Sequence, residues 1–140
     1  MYSFSSTQTL DAPVEKVWSV WSDPDSFPRW DPREEHTELT GPFAVGSTIR
    51  SKQRGIPQAE MVLTGVTPGE RWTISSPLPG GRLTIDHVLI AEAAGRTSVT
   101  KAYEVTGPMG LLFRCYFGPI VRKAMPDTFR ALEAEALRRG

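Results

Sequence analysis

The sequence predicts an α+β fold in which a seven-stranded antiparallel sheet supports one long carboxyl-terminal helix. Three observations carry this expectation. Phe113, Tyr116, Ile120, Val121, Met125, Phe129, Leu132 and Ala136 recur at three- and four-residue steps, which places them on one stripe of a helix over residues 109–139. Between Glu34 and Thr106, short strand-like runs alternate with turn signals at Gly41-Pro42, Gly55-Ile56-Pro57, Pro68-Gly69, Pro79-Gly80-Gly81 and Gly95, with no helical run between them. That spacing argues for consecutive antiparallel hairpins. Residues 2–10 set Tyr2, Phe4 and Leu10 on one parity against Ser3, Ser5, Thr7 and Thr9 on the other, the pattern of a half-buried strand.

The elements follow in order. After the first strand, Asp11 is a candidate cap, Pro13 suits a first helical turn, and Val14, Val17, Trp18 and Trp21 step along one helical face that ends near Ser22. Asp23-Pro24 opens a second short helical turn carrying Phe27 and Trp30, closed by Asp31-Pro32. Strands are predicted near 34–40, 46–54, 58–67, 70–76, 82–92 and 96–106. Arg50, Lys52 and Arg54 share one side and should face water, turning Ile49, Ser51 and Gln53 inward. Met61 with Leu63, and Trp72 with Ile74, make further inward pairs. Leu83, Ile85, His87 and Leu89 share a parity, although Val88 and Ile90 blur it. In the last strand Val99, Tyr103 and Val105 oppose Thr100, Ala102 and Glu104, and parity leaves the inward set open. Pro119 and Pro126 fall inside the final helix and each removes a backbone donor, so a break near Gly118-Pro119 and a kink near Pro126 are expected.

Length and composition bound the function. At 140 residues the chain has the size of one ordinary domain, able to bury a core without disulfides. Sixteen basic residues balance sixteen acidic ones, which disfavours nucleic acid and anionic surfaces as partners. The lone cysteine, Cys115, excludes an internal disulfide and is expected to be a packed, inert thiol in a reducing compartment. The amino end has neither a basic start nor an apolar run, so no signal peptide is expected, and no window approaches the roughly 20 apolar residues of a membrane span. A cytoplasmic protein without integral membrane association, a monomer or weak homodimer, is the reading.

Asp11-Ala12-Pro13, Val17-Trp18, Asp23-Pro24, and Trp30 with Pro32 two residues on, resemble the opening of the polyketide cyclase/dehydrase and lipid-transport branch of the START-like (SRPBCC), helix-grip superfamily. Val45-Gly46, the Pro68 turn, His87 with Gly95 and Thr97 behind it, Glu104-Val105-Thr106-Gly107 and the apolar final helix extend the resemblance over the whole chain. It implies a helix-grip fold: a strongly bent seven-stranded sheet wrapped around the long helix, with two short helices after the first strand. It also implies a ligand cavity between sheet and helix.

Such a cavity would take a small hydrophobic ligand, a lipid, polyketide or aromatic metabolite. The residues expected to touch it are Trp30, Met61, Leu63, Trp72, Ile74, Ile85, His87, Leu112, Phe113 and Tyr116. The aromatic ones either line a pocket or fill core. The alternative is a cyclase or dehydratase that moves protons with polar cavity residues, for which His87, Tyr103 and Glu104 are the candidates. The readings preferred for these two are a core histidine bonded to its neighbours for His87 and a solvated residue for Glu104. His36 and His87 with scattered acids lack metal-ligand spacing, so no metal and no cofactor are expected. No Gly-x-Ser-x-Gly elbow is present, and Pro79-Gly80-Gly81 lacks the Lys and following helix of a phosphate loop. The part of the final helix before Pro119 is expected to lean over the cavity mouth, with Met125, Phe129 and Leu132 anchoring the remainder on the sheet.

Overall fold

The computed structural model describes residues 1–139. Seven strands run β1 (Tyr2–Leu10), β2 (Glu34–Thr40), β3 (Thr48–Gln53), β4 (Ala59–Thr67), β5 (Arg71–Leu78), β6 (Gly81–Glu92) and β7 (Arg96–Thr106). They form one antiparallel sheet in the order β1-β7-β6-β5-β4-β3-β2. Strands β2 to β7 are joined as successive hairpins, and β1 closes on β7, where the Phe4 and Tyr103 rings stack at 4.7 Å and 7°. The connection between β1 and β2 carries α1 (Val14–Trp21), a 3-10 turn at Pro24–Ser26 and α2 (Phe27–Trp30). The carboxyl-terminal helix crosses the concave side of the curled sheet. The helix-grip architecture expected from the resemblance is the one observed.

Strand parity resolves the inner face. Leu83, Ile85, His87 and Leu89 of β6 are buried, whereas Ile90 is exposed. On β7 the inward set is Thr97, Val99, Tyr103 and Val105, and Glu104 faces out. Lys101 shares the inward parity, a lysine on the concave side of the sheet. In β2 the register slips between Glu34 and His36, so two exposed residues separate buried Glu34 from buried Thr37. This bulge aims a carboxylate inward that strict alternation would have left in a polar run.

The final helix is continuous but not uniform. A short α3 (Met109–Leu112) passes into a π segment (Phe113–Phe117) and then into α4 (Gly118–Arg138). The expected break at Gly118-Pro119 is replaced by this wider turn, in which the Gly118 N–H donates to the Phe113 carbonyl. The chain stays helical through Pro119, directly after the π turn, and runs on through Pro126. Gly118 is required at the π turn. A Cβ there would lie 2.6 Å from the Phe113 carbonyl oxygen and 2.7 Å from the Tyr2 hydroxyl. Cys115 is exposed rather than packed, because the outer side of the π segment faces away from the sheet.

Met125, Phe129, Leu132 and Ala136 are buried and fasten α4 to α1 and the sheet, each large side chain contributing about 1.5–3 kcal/mol of apolar burial. The far end of α4 is tied by Arg139, which donates to the Ser19 carbonyl and to Asp23 at 3.0 Å. Asp11 does not cap α1. Its carboxylate accepts from Arg96 at 2.9 Å, and α1 begins after Pro13 with no side-chain cap. None of the described helices is long and apolar enough to cross a membrane.

Candidate functional site

The space between the sheet and the helix divides into three layers along the strands. At the α1 end it is filled. His87 stacks on Trp72 at 3.5 Å and 6°, and its Nδ1 lies 3.2 Å from the Trp72 carbonyl oxygen. Trp21 meets both rings edge-on, at 6.1 Å from Trp72 and 5.2 Å from His87, with Phe27 and Phe43 alongside. Burial, seconded by the charge of Lys101, pushes the His87 pKa well below 6.5, although the Trp72 carbonyl works the other way. The imidazole is therefore neutral at pH 7.

The middle layer is polar. Glu34 accepts hydrogen bonds from Ser51 Oγ at 2.9 Å, Thr37 Oγ1 at 3.1 Å and Gln53 Nε2 at 3.2 Å. Burial raises its pKa above the usual carboxylate value, against the opposing pull of Ser51 and Lys101. Burial likewise raises Asp31, partly offset by Lys101 and by the Arg33 N–H, which donates to Asp31 Oδ1 at 2.9 Å. Lys101 sits among these groups, its Nζ 5.6 Å from the centre of the Tyr103 ring. Burial disfavours its ammonium, but Tyr103, Asp31 and Glu34 outweigh the penalty and hold its pKa above 10.5. Lys101 is thus a charged donor, not an amine nucleophile.

The third layer is open. A cavity of about 350 Å³ lies between the first half of the carboxyl-terminal helix and the ends of β3 to β6. Met109, Phe113, Phe117 and Val121 form its helical wall at steps of four residues, and the π turn leaves Phe113 and Phe117 facing it side by side at 5.1 Å. Phe4, Met61, Leu83, Ile85 and Tyr103 form the sheet wall, and the β3–β4 hairpin at Ile56 and Pro57 borders it. The lining is mostly apolar, with Ser51, Gln53, Ser76 and the Tyr103 phenol as polar points. This volume is at the low end of the roughly 300–1,000 Å³ typical of small-molecule sites.

Of the residues predicted to touch a ligand, Met61, Ile85 and Phe113 meet at this cavity, together with the candidate acid–base residue Tyr103. Leu63, Ile74, Trp72 and His87 face inward but pack in core away from the cavity, because parity sets the face of a strand residue and not its height along the strand. Trp30 lies on α2, half-buried, with its indole N–H donating to Ser26 Oγ at 3.3 Å and its ring against Phe27. Leu112 and Tyr116 are 42% and 53% exposed on the outer side of the helix, and Glu104 is on the outer face of β7. The residues that the prediction omitted are Phe4, Leu83, Met109, Phe117, Val121 and Lys101. Phe117 and Val121 follow Phe113 at helical steps, and Lys101 follows from Tyr103 by parity once the inner face of β7 is known. Among the described residues, no group of three or more His, Cys, Asp or Glu side chains converges as metal ligands would.

Comparison with known proteins accords with this geometry. Residues 1–139 match the profile of the family described as polyketide cyclase / dehydrase and lipid transport. No curated relative matches the sequence. Among solved structures, the Zhui aromatase/cyclase from Streptomyces sp. R1128 superposes with a TM-score of 0.79 at 17% identity, over 98% of this chain and 94% of that one. A START superfamily protein from Mycobacterium smegmatis does so with 0.71 at 15% identity, over 100% of both chains. Norcoclaurine synthase from Thalictrum flavum, in complex with dopamine and hydroxybenzaldehyde, gives 0.71 at 15% identity, over 99% of this chain and 87% of that one. Identities this low speak for the fold alone. The whole-length profile match goes further: the chain belongs to the polyketide cyclase/dehydrase and lipid-transport family.

Proposed function

We propose that this protein binds a small, largely apolar molecule in the cavity between the sheet and the carboxyl-terminal helix. The observation that carries the proposal is the 350 Å³ space itself, walled by Phe4, Met61, Leu83, Ile85, Phe113 and Phe117. An interior that could collapse around so much apolar surface would do so, since an empty void forfeits dispersion contacts on every side. A ligand that fills it removes its own apolar surface from water at roughly 25 cal/mol per Å² and restores those contacts. The π turn supports the reading, because it turns two phenylalanines toward the same space. Family membership is in keeping with it. A cytoplasmic setting fits the exposed, unpaired Cys115.

Native mass spectrometry after gentle purification, followed by organic extraction and a screen of hydrophobic metabolites, tests the proposal. A stoichiometric adduct below about 400 Da, or a one-to-one binder from the screen, is the expected result. An unliganded protein that binds none of the metabolites contradicts it.

A second reading, catalysis of the cyclase or dehydratase type, is favoured by one observation: Tyr103, which carries a phenolic hydroxyl, is among the residues of the cavity wall. His87 and Glu104 do not reach that wall. Turnover of an aromatic poly-β-ketone mimic that falls at least a hundredfold in Tyr103→Phe would establish this reading, and the absence of turnover in the wild type would remove it.

A further inference from the structure

The two edges of the sheet are built differently. At one edge, β2 carries the bulge between Glu34 and His36 and exposes Glu35, His36 and Glu38 along its length. The 3-10 turn and α2 pack against it, and the Leu39 N–H donates to Asp25 Oδ1 at 2.8 Å. Bulges, charges and cover are the devices that keep an edge strand from pairing with another chain. At the other edge, β1 has none of them. Its nine residues include no charge, proline or glycine, and they pair with β7 from Tyr2–Val105 to Leu10–Thr97 without a shift of register. An antiparallel edge strand leaves every second N–H and C=O pointing away from its neighbour. Among the described residues, no loop or helix hydrogen-bonds the β1 backbone on that side. The nearest contact of the kind is the Asp11 N–H, just past the strand, which donates to Glu133 Oε2 at 2.6 Å.

We propose that this edge is a docking surface for a second copy of the chain. The two β1 strands pair antiparallel about a twofold axis at Ser6, so that two seven-stranded sheets join into one.

The sequence of the strand suits self-pairing. Centring on Ser6 is the register that pairs every residue of β1, and it sets Tyr2 against Leu10, Ser3 against Thr9, Phe4 against Gln8 and Ser5 against Thr7 of the partner. The exposed Ser3, Ser5, Thr7 and Thr9 then meet only hydroxyls across the seam. They continue a line that Thr7 Oγ1 already forms with Thr100 Oγ1 at 2.8 Å.

Charge complementarity on the helix side supports the same register. Arg122 of α4 donates to the Tyr2 hydroxyl at 3.1 Å and lies over the Phe4 ring, 5.0 Å from its centre. Glu133, about three turns further along α4, reaches Asp11 instead. A base therefore stands beside one end of β1 and an acid beside the other. The twofold axis brings each Arg122 to the end where the partner's Glu133 stands, twice by symmetry, as an isologous contact requires. A parallel partner strand would set Arg122 near Arg122 and Glu133 near Glu133, which is repulsive. A nine-residue seam spans about 30 Å and is small for a stable interface, so dissociation at about 10–100 µM is expected.

Sedimentation velocity of the full chain from about 5 to 500 µM, in a reducing buffer that keeps the exposed Cys115 from cross-linking, tests the proposal. The wild type should pass from monomer to dimer over that range. Ser5→Glu combined with Thr7→Glu sets like charges directly opposite across the seam, and should weaken the dimer at least tenfold. Arg122→Glu alone should weaken it about fivefold, and adding Glu133→Arg should restore it to within threefold of wild type. That recovery reads the register, because damage to the fold would add rather than cancel. A chain that stays monomeric at the highest concentration overturns the proposal, whether its edge is free or takes a strand from another protein. A dimer that survives the Glu pair, that Arg122→Glu leaves unchanged, or that Glu133→Arg does not recover overturns it as well. Should either α4 variant fail to fold, the Glu pair decides alone, since Ser5 and Thr7 are exposed.

Discussion

Burial of His87 makes a quantitative prediction about acid stability. The imidazole is only 2% exposed, lies flat on Trp72, and is held neutral by burial with the Lys101 charge nearby. Its folded pKa is well below 6.5, whereas in the unfolded chain it returns to about 6.5. The unfolded state therefore binds the extra proton, and stability contributed by the neutral ring is present above pH 6.5 and lost as pH falls through that value. The loss begins as pH falls through about 6.5 and accumulates at no more than roughly 1.4 kcal/mol per pH unit until the folded pKa is reached. Asp31 and Glu34 act in the opposite sense. Their pKa values are raised by burial, so their contribution is complete below their unfolded values near 4 and declines as pH rises through the folded ones. They are common to wild type and variant and largely cancel in a difference.

His87→Phe keeps an aromatic ring on Trp72 and loses the contact between Nδ1 and the Trp72 carbonyl oxygen, which costs about 1–3 kcal/mol at every pH. Urea unfolding at pH 7.0 and 4.5 separates the two effects. The variant should be the less stable protein at pH 7.0, and the gap should narrow at pH 4.5, changing by more than about 1 kcal/mol. Parallel loss in both proteins, with the gap constant within about 0.5 kcal/mol, would refute the buried neutral imidazole.

Other consequences follow from the same geometry. Gly118→Ala would press a methyl group onto the Phe113 carbonyl and the Tyr2 ring, so thermal unfolding should register a loss of about 1–3 kcal/mol, and the π segment should lose amide protection. Glu34→Gln removes a carboxyl that burial penalises when charged, so the variant should gain on wild type in chemical denaturation at pH 7 relative to pH 4; an unchanged difference would contradict the raised pKa. Hydrogen exchange with and without N-phenyl-1-naphthylamine should show added protection in residues 109–121 and little change in 127–138. Equal protection on both sides of Pro119 in both states would rule out a hinged front segment.

The fold was legible in the sequence because strand parity and turn chemistry act locally. Gly80-Gly81 and Gly107 mark turns that no larger residue fits: a Cβ on Gly81 would fall 1.9 Å from the Thr106 carbonyl oxygen. Ile49 and Ser51 against Arg50 show the same locality in a strand, buried and exposed as parity requires. The site was less legible for two physical reasons. A strand residue's height along the sheet depends on register with partners far away in sequence, which is why His87 and Trp72 face inward yet lie in the filled layer, two strand positions from Ile85. The β2 bulge was the other reason, since it brings Glu34 beside Ser51 and Gln53 by breaking the alternation that sequence reading relies on. Lys101 combines both difficulties. Its parity matches Tyr103, but a lysine on a concave face defies the hydrophobic pattern and is recognised only from the company of Asp31 and Glu34.

If the apolar space under the helix takes a ligand, filling that space with a side chain must abolish binding. Val121 is half-buried on the helical wall, so Val121→Trp can fill the space with little cost to the helix. Fluorescence titration with N-phenyl-1-naphthylamine should show saturable one-to-one binding to the wild type and at least tenfold weaker binding to the variant, with melting temperatures within about 5 °C. Equal affinity in the two proteins, or no binding to the wild type, would contradict the account.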